Sequence, residues 1–305
     1  MLEEIRSKIE EASPEDVRLY FVTRMKIGED IEYNVLKTEI TEQIGQTLLD
    51  IGKNKIDILL ESEDLSVIDY SPSVYLEQNN IQTVDKDEVQ FLNTILQAIG
   101  SADIDLFDIN QSKNLWAYGI KIENSRIVLF RKYTENRILD RKGWIPLFVS
   151  DGRFNQLTES ILTIDEDIDC IYYKDKVYIL NDVQFERIFS FMDKFIDEIN
   201  VNLGILEKKA LVEDVPFLWK LCKTDPRKIK KLNKILKGDV VPSLNLKKIK
   251  QLNTQYNLGL NFMDDGKLVV NSKNIWTVLK VLDDDYLKSP ATDNKYEAHS
   301  KVRKT

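Results

Sequence analysis

Histidine is almost missing from this chain; His299 is the only one. That excludes any metal site or mechanism needing two histidines, HExxH zinc chemistry included. Cysteine is nearly as scarce. Cys170 and Cys222 form neither a CxxC pair nor a disulfide framework, which fits a reducing compartment. Both lie in apolar surroundings and read as small buried hydrophobes, which leaves a Cys–His nucleophile without support. The glycine signatures of phosphate loops, dinucleotide turns and nucleophile elbows do not occur. No apolar run approaches the roughly 20 residues that span a bilayer. The opening "MLEEIRSKIEEAS" is charged and helix-like, with no apolar signal core behind it. A cytoplasmic chain is expected, reaching the inner face of a membrane only through a partner.

What remains is an ordinary globular composition, 43% hydrophobic and 31% charged over 305 residues, enough for about two domains. The fold class expected is α+β: an antiparallel sheet covered by helices, then a mainly helical basic region with a β-hairpin. Residues 1–205 form the first domain and 206–305 the second, ending in a polar tail. "VRLYFVTRM" has strand composition and "EYNVLKTEI" follows it across a turn, while "VQFLNTILQAIG" has helical spacing and a terminal glycine. "LWAYGIKI" and "RIVLFRKY" flank "ENS", and "DIDCIYY" and "KVYILN" flank "KD", so two hairpins are expected side by side. A helix is then predicted over 182–203. Its Phe185, Ile188, Phe189, Met192, Phe195, Ile196 and Ile199 share one wide face, expected to cover the sheet. Beyond it come helical patterns, an apparent hairpin "LGLNFMDDGKLVVN" and a helix "SKNIWTVLKVL".

Charge is unevenly distributed. Eleven basic residues fall between 220 and 250: Lys220, Lys223, Arg227, Lys228, Lys230, Lys231, Lys234, Lys237, Lys247, Lys248 and Lys250. Against them stand only Asp225 and Asp239, so the segment carries +9 and the other 274 residues −17. Asp225 caps, Pro226 starts and Gly238 ends a helix whose Ile229, Leu232, Ile235 and Leu236 occupy one arc. Arg227, Lys230, Lys231, Lys234 and Lys237 occupy the opposite arc. A second helix from Asn245 to about Asn257 shows Lys247, Lys248 and Lys250 outside. Like charges on one face repel by a few tenths of a kcal/mol per pair, so something must compensate them. The candidates are a polyanion, an acidic partner, or the acidic remainder of this chain. Two helices followed by a hairpin also resemble a winged helix-turn-helix in order.

Without histidine, the remaining catalytic possibility is a carboxylate site for Mg²⁺. Asp165, Glu166, Asp167 and Asp169, Asp175 with Lys176, and Asp283–Asp285 are its candidates, with "EKK" at Glu207–Lys209 a fragment of one nuclease pattern. Acid clusters of this size are expected by chance among 51 acids. No catalytic residue, metal ligand or cofactor is therefore assigned.

The end of the chain carries its most specific text. Trp276, Asp284, Asp285, Tyr286, Leu287, Ser289, Thr292, Tyr296 and Lys301 follow an order that resembles the C-terminal signature of the KwaB family of Kiwa anti-phage systems. "LFRKYTENRIL", "DIDCIYYKDKVYILNDVQFERIF" and "GLNFMDDGKLVV" resemble the same family upstream, over about residues 115–304. Ala291 departs from the leucine expected there. The resemblance implies a non-catalytic DNA-binding effector that assembles as a homo-oligomer and acts with the membrane-embedded KwaA. The Lys-rich helices would then contact phosphates. A Mg²⁺-dependent nuclease and an adaptor docking on an acidic protein are the alternatives. Tyr286 and Tyr296 suit an anchor for the polar tail, and Lys295, Lys301, Arg303 and Lys304 an extension of the basic surface; a solvated disordered terminus is the other reading.

Overall fold

The computed structural model describes all residues except 29, 63–64, 73–79, 135–146, 151, 157–161, 239 and 299–305. His299, Asp239, Lys301, Arg303, Lys304 and part of Leu129–Leu139 thus lie outside the described residues. The chain forms two compact units, Met1–Tyr70 with Leu76–Phe189, and Ser190–Thr305 with Ser71–Tyr75.

The first unit opens with α1 (Leu2–Glu11), then the long hairpin of β1 (Val17–Ile27) and β2 (Asp30–Thr38). Next come α2 (Glu42–Leu60), β3 (Ser66–Asp69), β4 (Asn80–Asp85) and α3 (Leu92–Ile99). The expected hairpins follow: β5 (Leu115–Ile122) pairs antiparallel with β6 (Ile127–Lys132). A small separate hairpin comprises β7 (Leu147–Ser150) and β8 (Arg153–Gln156). Then β9 (Cys170–Tyr173) pairs antiparallel with β10 (Lys176–Ile179). They join one eight-stranded sheet in the order β2-β1-β5-β6-β9-β10-β4-β3, antiparallel except for β3 with β4.

Strand alternation gives this sheet two buried faces. On one, Leu19, Phe21, Tyr118, Ile120, Leu129 and Ile171 meet Ile5, Ile9, Leu48 and Ile56 of α1 and α2. Gly52 lets α2 lie close, because a Cβ there would sit 2.8 Å from Leu129 Cδ1. The other face is covered by α4 (Asp182–Ile188), capped by Asn181, with Phe189 edge-on to Phe130 at 5.6 Å. Trp116 Nε1 donates to the carbonyls of Arg187 and Ile188, tying the helix end to β5.

The single helix expected over 182–203 is broken. Ser190 adopts φ 53°, in the left-handed region, and α5 (Phe191–Asn202) begins there in the second unit. The aromatic stripe is divided accordingly. Phe185, Ile188 and Phe189 are buried in the first unit, and Phe191, Phe195 and Ile199 in the second. Local periodicity cannot register a one-residue backbone reversal, so the two short helices read as one.

The second unit continues through α6 (Gly204–Lys209), α7 (Val215–Cys222), α8 (Pro226–Lys237), α9 (Val240–Ser243), α10 (Leu246–Tyr256) and α11 (Ile275–Leu282). Phe191, Phe195 and Ile199 of α5 face α8, whose Ile229, Leu232, Ile235 and Leu236 are buried as the arc predicts. The hairpin expected over 258–271 is reduced to a tight antiparallel reversal without regular strands: Phe262 bridges Leu268, Val269 N donates to Asn261 O at 3.0 Å and Met263 N to Lys267 O at 2.9 Å, too short for the long wing of a helix-turn-helix. The strands come instead from the polar tail: β11 (Tyr286–Lys288) pairs with β12 (Lys295–Glu297). No described helix is long and apolar enough to cross a membrane.

Candidate nucleic-acid interface

The basic helix α8 forms as its sequence dictates. Asp225 accepts from Arg227 N at 3.0 Å, Pro226 occupies the first turn, and Gly238 N–H closes the last turn on Lys234 O at 2.9 Å. Its charged face is not uniformly presented to solvent. Arg227 is exposed, 3.2 Å from Asp225 and 5.9 Å from the Trp276 ring. Lys228 and Lys230 are half-buried. Lys237 reaches Glu198 Oε1 of α5 at 2.7 Å, and Asn233 donates to the other oxygen of the same carboxylate at 2.8 Å.

Lys231 is the decisive case. Its ammonium touches Asp283 and lies 2.5 Å from Asp285 Oδ2, and the three side chains are only 14%, 5% and 4% exposed. Lys234 Nζ adds a second cation 3.1 Å from Asp283. Both acids follow the C-terminal end of α11, where the helix dipole disfavours negative charge. They therefore require cations, and α8 supplies them. Burial raises the Asp283 carboxyl, but Lys231 and Lys234 outweigh it and hold the group below its ordinary range. With Lys237 on Glu198, three of the five lysines and arginines expected to face solvent are thus spent on acids elsewhere in the chain, and Arg227 pairs with its own cap Asp225. The acidic remainder compensates part of the charge on α8.

The other basic residues divide differently. Lys220 and Lys223 are exposed on and just after α7, with Lys223 Nζ 4.8 Å from the Trp219 ring. On α10, capped by Asn245, Lys247, Lys248 and Lys250 are all exposed. Lys247 and Lys250 line an open groove of 530 Å³ with Gln251, Thr254 and Gln255. Among the described residues, Lys220, Lys247 and Lys248 make no ion pair. Ten of the eleven predicted basic residues lie on three helices, α7, α8 and α10, and the eleventh, Lys223, is the C-cap of α7.

Most of the carboxylates considered for Mg²⁺ are engaged with cations of the chain. Arg131 of β6 binds Asp165 at 2.9 Å, Asp167 at 3.2 Å and Asp169 at 2.5 Å. Asp169 is fully buried and also accepts from Lys132 N at 2.7 Å; burial nevertheless pushes its carboxyl upward. Burial acts the same way on Asp167, but Lys55 at 2.7 Å, the Ile168 N–H and Arg131 bring that group down. Asp175 pairs with Lys86 at 2.6 Å and Lys176 with Asp85 at 3.6 Å. Among the described residues no group of three or more His, Cys, Asp or Glu side chains is arranged to hold a metal ion. Cys170 and Cys222 are buried with thiols pushed up by burial, Cys222 to about 12.

Sequence reasoning missed the partners of α8. Glu198 carries no signal that singles it out in the sequence, and Asp283–Asp285 read only as an acidic run, a candidate carboxylate cluster for Mg²⁺. The usable signal was that run's position directly after the apolar "IWTVLKVL", which forces it close to buried surface. Of the two tyrosines expected to anchor the tail, Tyr286 does so and Tyr296 does not, its ring lying exposed. Tyr286 is buried with its ring 5.3 Å from Tyr256, Ala298 N donates to Asp285 O at 2.8 Å, and Lys280 pairs with Glu297. Residues 112–292 match the family model described as Kiwa protein KwaB-like. No curated protein and no solved structure matches the chain.

Proposed function

Because the chain belongs to the Kiwa KwaB-like family, and is therefore a component of Kiwa anti-phage defence, we propose that it serves there as a non-catalytic, DNA-binding effector. The observation that supports this reading is a segment of +9 in an acidic chain, with Lys220, Lys247 and Lys248 exposed and without ion pairs among the described residues. Unlike Lys231, Lys234 and Lys237 of α8, these have no anion paired to them among the described residues to offset their mutual repulsion. A phosphate backbone supplies one charge per roughly 1.7 Å of duplex and gains from releasing its counterions. Lysines act as point charges and carry little base information, so binding is largely independent of sequence. The acidic remainder limits indiscriminate capture.

The effector acts in this reading with a KwaA-like membrane protein and as a homo-oligomer. Membrane association then depends on that partner, since no described helix can cross a bilayer. Purified protein mixed with labelled duplex at low salt, with and without Mg²⁺, tests the central claim. A mobility shift without cleavage is expected. Mg²⁺-dependent cleavage lost on substituting Asp167 or Asp169 would replace it with the nuclease reading. Neither shift nor cleavage would leave the adaptor. Light scattering on the purified chain and its co-sedimentation with membranes, with and without the partner gene, test the assembly and the anchor.

A further inference from the structure

We propose that the phosphate-contacting surface is the outer face of α10 extended by Lys295 of β12, and that the inner lysines of α8 serve as structural clamps. This rests on the DNA-binding reading and assigns the contact within it.

Three observations converge on α10. First, its eleven residues "LKKIKQLNTQY" include no acid, so nothing on the helix itself neutralises Lys247, Lys248 and Lys250. Second, the groove of 530 Å³ beside Lys247 and Lys250 is otherwise lined by Gln251, Thr254 and Gln255, neutral polar side chains. The two glutamines bring amide donors suited to phosphate and sugar oxygens. Third, the structure pins cations at the edges of this face. Lys250 Nζ lies 5.4 Å from the Phe262 ring and so close to Gly266 that a Cβ there would stand 3.1 Å from it. Lys295 Nζ donates to Gln255 O at 2.5 Å and stands 5.7 Å from the Tyr256 ring, which places a fourth cation at the helix C-terminus. An ammonium has three donors, so Lys295 keeps capacity for a phosphate.

The dimensions fit a duplex backbone. From Lys247 to Gln255 is eight residues, about 12 Å along a helix axis. One DNA strand advances roughly 3.4 Å per phosphate, so this face tracks about three to four phosphates. The inner α8 lysines are excluded on different grounds. Lys231, Lys234 and Lys237 already hold Asp283, Asp285 and Glu198, and a phosphate could reach Lys231 only by displacing two nearly buried carboxylates.

The test measures binding of a labelled duplex to the full chain by fluorescence anisotropy between 50 and 200 mM salt. The triple variant Lys247→Gln, Lys248→Gln, Lys250→Gln is expected to lower the log–log salt slope by about 2.7, since each lost contact removes about 0.9. Its affinity should accordingly fall about forty-fold less than wild type across that range, and lie on the order of a hundredfold lower at moderate salt. Lys295→Gln should remove about 0.9 more. The matched control Lys26→Gln, Lys113→Gln, Lys273→Gln changes the same net charge on exposed positions elsewhere and should leave the slope unchanged. Exchanging the three α10 lysines for arginine keeps the charge and must keep binding, which guards against a folding artefact. If wild type binds but the glutamine variant keeps its affinity and slope, this assignment is wrong while the DNA reading stands. If wild type binds no duplex at 50 mM salt, the DNA reading itself fails. If polyglutamate of equal charge binds the same face more tightly than the duplex at equal salt, the face belongs to an acidic protein and the assignment is overturned.

Discussion

Replacing Lys231 with methionine isolates the clamp that holds α8 to the C-terminal acids. Methionine keeps the length and apolar stem of lysine, so packing changes little and the charge is the variable. The perturbation removes the cation 2.5 Å from Asp285 Oδ2 and one of two cations on Asp283. Breaking a buried ion pair from one side typically costs 3–5 kcal/mol, because the remaining charge stays desolvated. Lys234 still stands 3.1 Å from Asp283 and is itself one-third exposed, so the expected loss sits at the low end, about 3 kcal/mol. The pH dependence follows from the sign of the shift. In wild type the Asp283 carboxyl is held low, so its stabilisation is complete above the ordinary carboxylate range and is lost as pH falls through the native value. Without Lys231, burial of the Asp283 carboxyl is opposed by Lys234 alone, so the group rises relative to wild type and the variant has less carboxylate stabilisation to lose on acidification. The deficit against wild type should therefore shrink as pH falls toward the carboxylate range. Hydrogen exchange of peptides covering α8 and α11 across a urea series reads this locally. Adding Asp283→Asn and Asp285→Asn to Lys231→Met should restore most of the loss, because no uncompensated charge remains. A single variant within about 1 kcal/mol of wild type at pH 7, or a deficit that widens on acidification, would refute the clamp.

Further expectations follow from individual contacts. Arg131→Met strips three aspartates of their shared guanidinium, one of them fully buried, and should lower the urea midpoint by an amount equivalent to about 3–5 kcal/mol. Gly45→Ala places a methyl 2.5 Å from Pro14 O and should cost about 1–3 kcal/mol in the same assay. Ala210 ends α6 at φ 48°, where glycine carries no Cβ penalty, so Ala210→Gly should stabilise by about 1 kcal/mol. A thiol reagent should label neither Cys170 nor Cys222 in the native protein, and rapid labelling of either would contradict their burial.

Local chemistry is what the sequence by itself determined. The helix from Pro226 to Lys237 needed only its capping aspartate, its proline and a 3.6-residue apolar period, all of which act within the segment. The β5–β6 and β9–β10 hairpins likewise follow from strand residues beside short turns, and the C-terminal signature from the order of a few residues. The tertiary structure decided whatever depends on residues far apart in the chain. Joining the two hairpins with β1, β2, β4 and a parallel β3 is a matter of long-range pairing, which no local pattern encodes. The reversal at Ser190 divides an apparently continuous aromatic stripe because the two halves meet different partners. Above all, Lys231 and Lys247 are chemically alike in sequence. One lies against acids more than fifty residues away, nearly out of water, while the other stands in an open groove with no acid paired to it among the described residues. A lysine's function depends on the nearest anion, and only the folded chain fixes where that anion is.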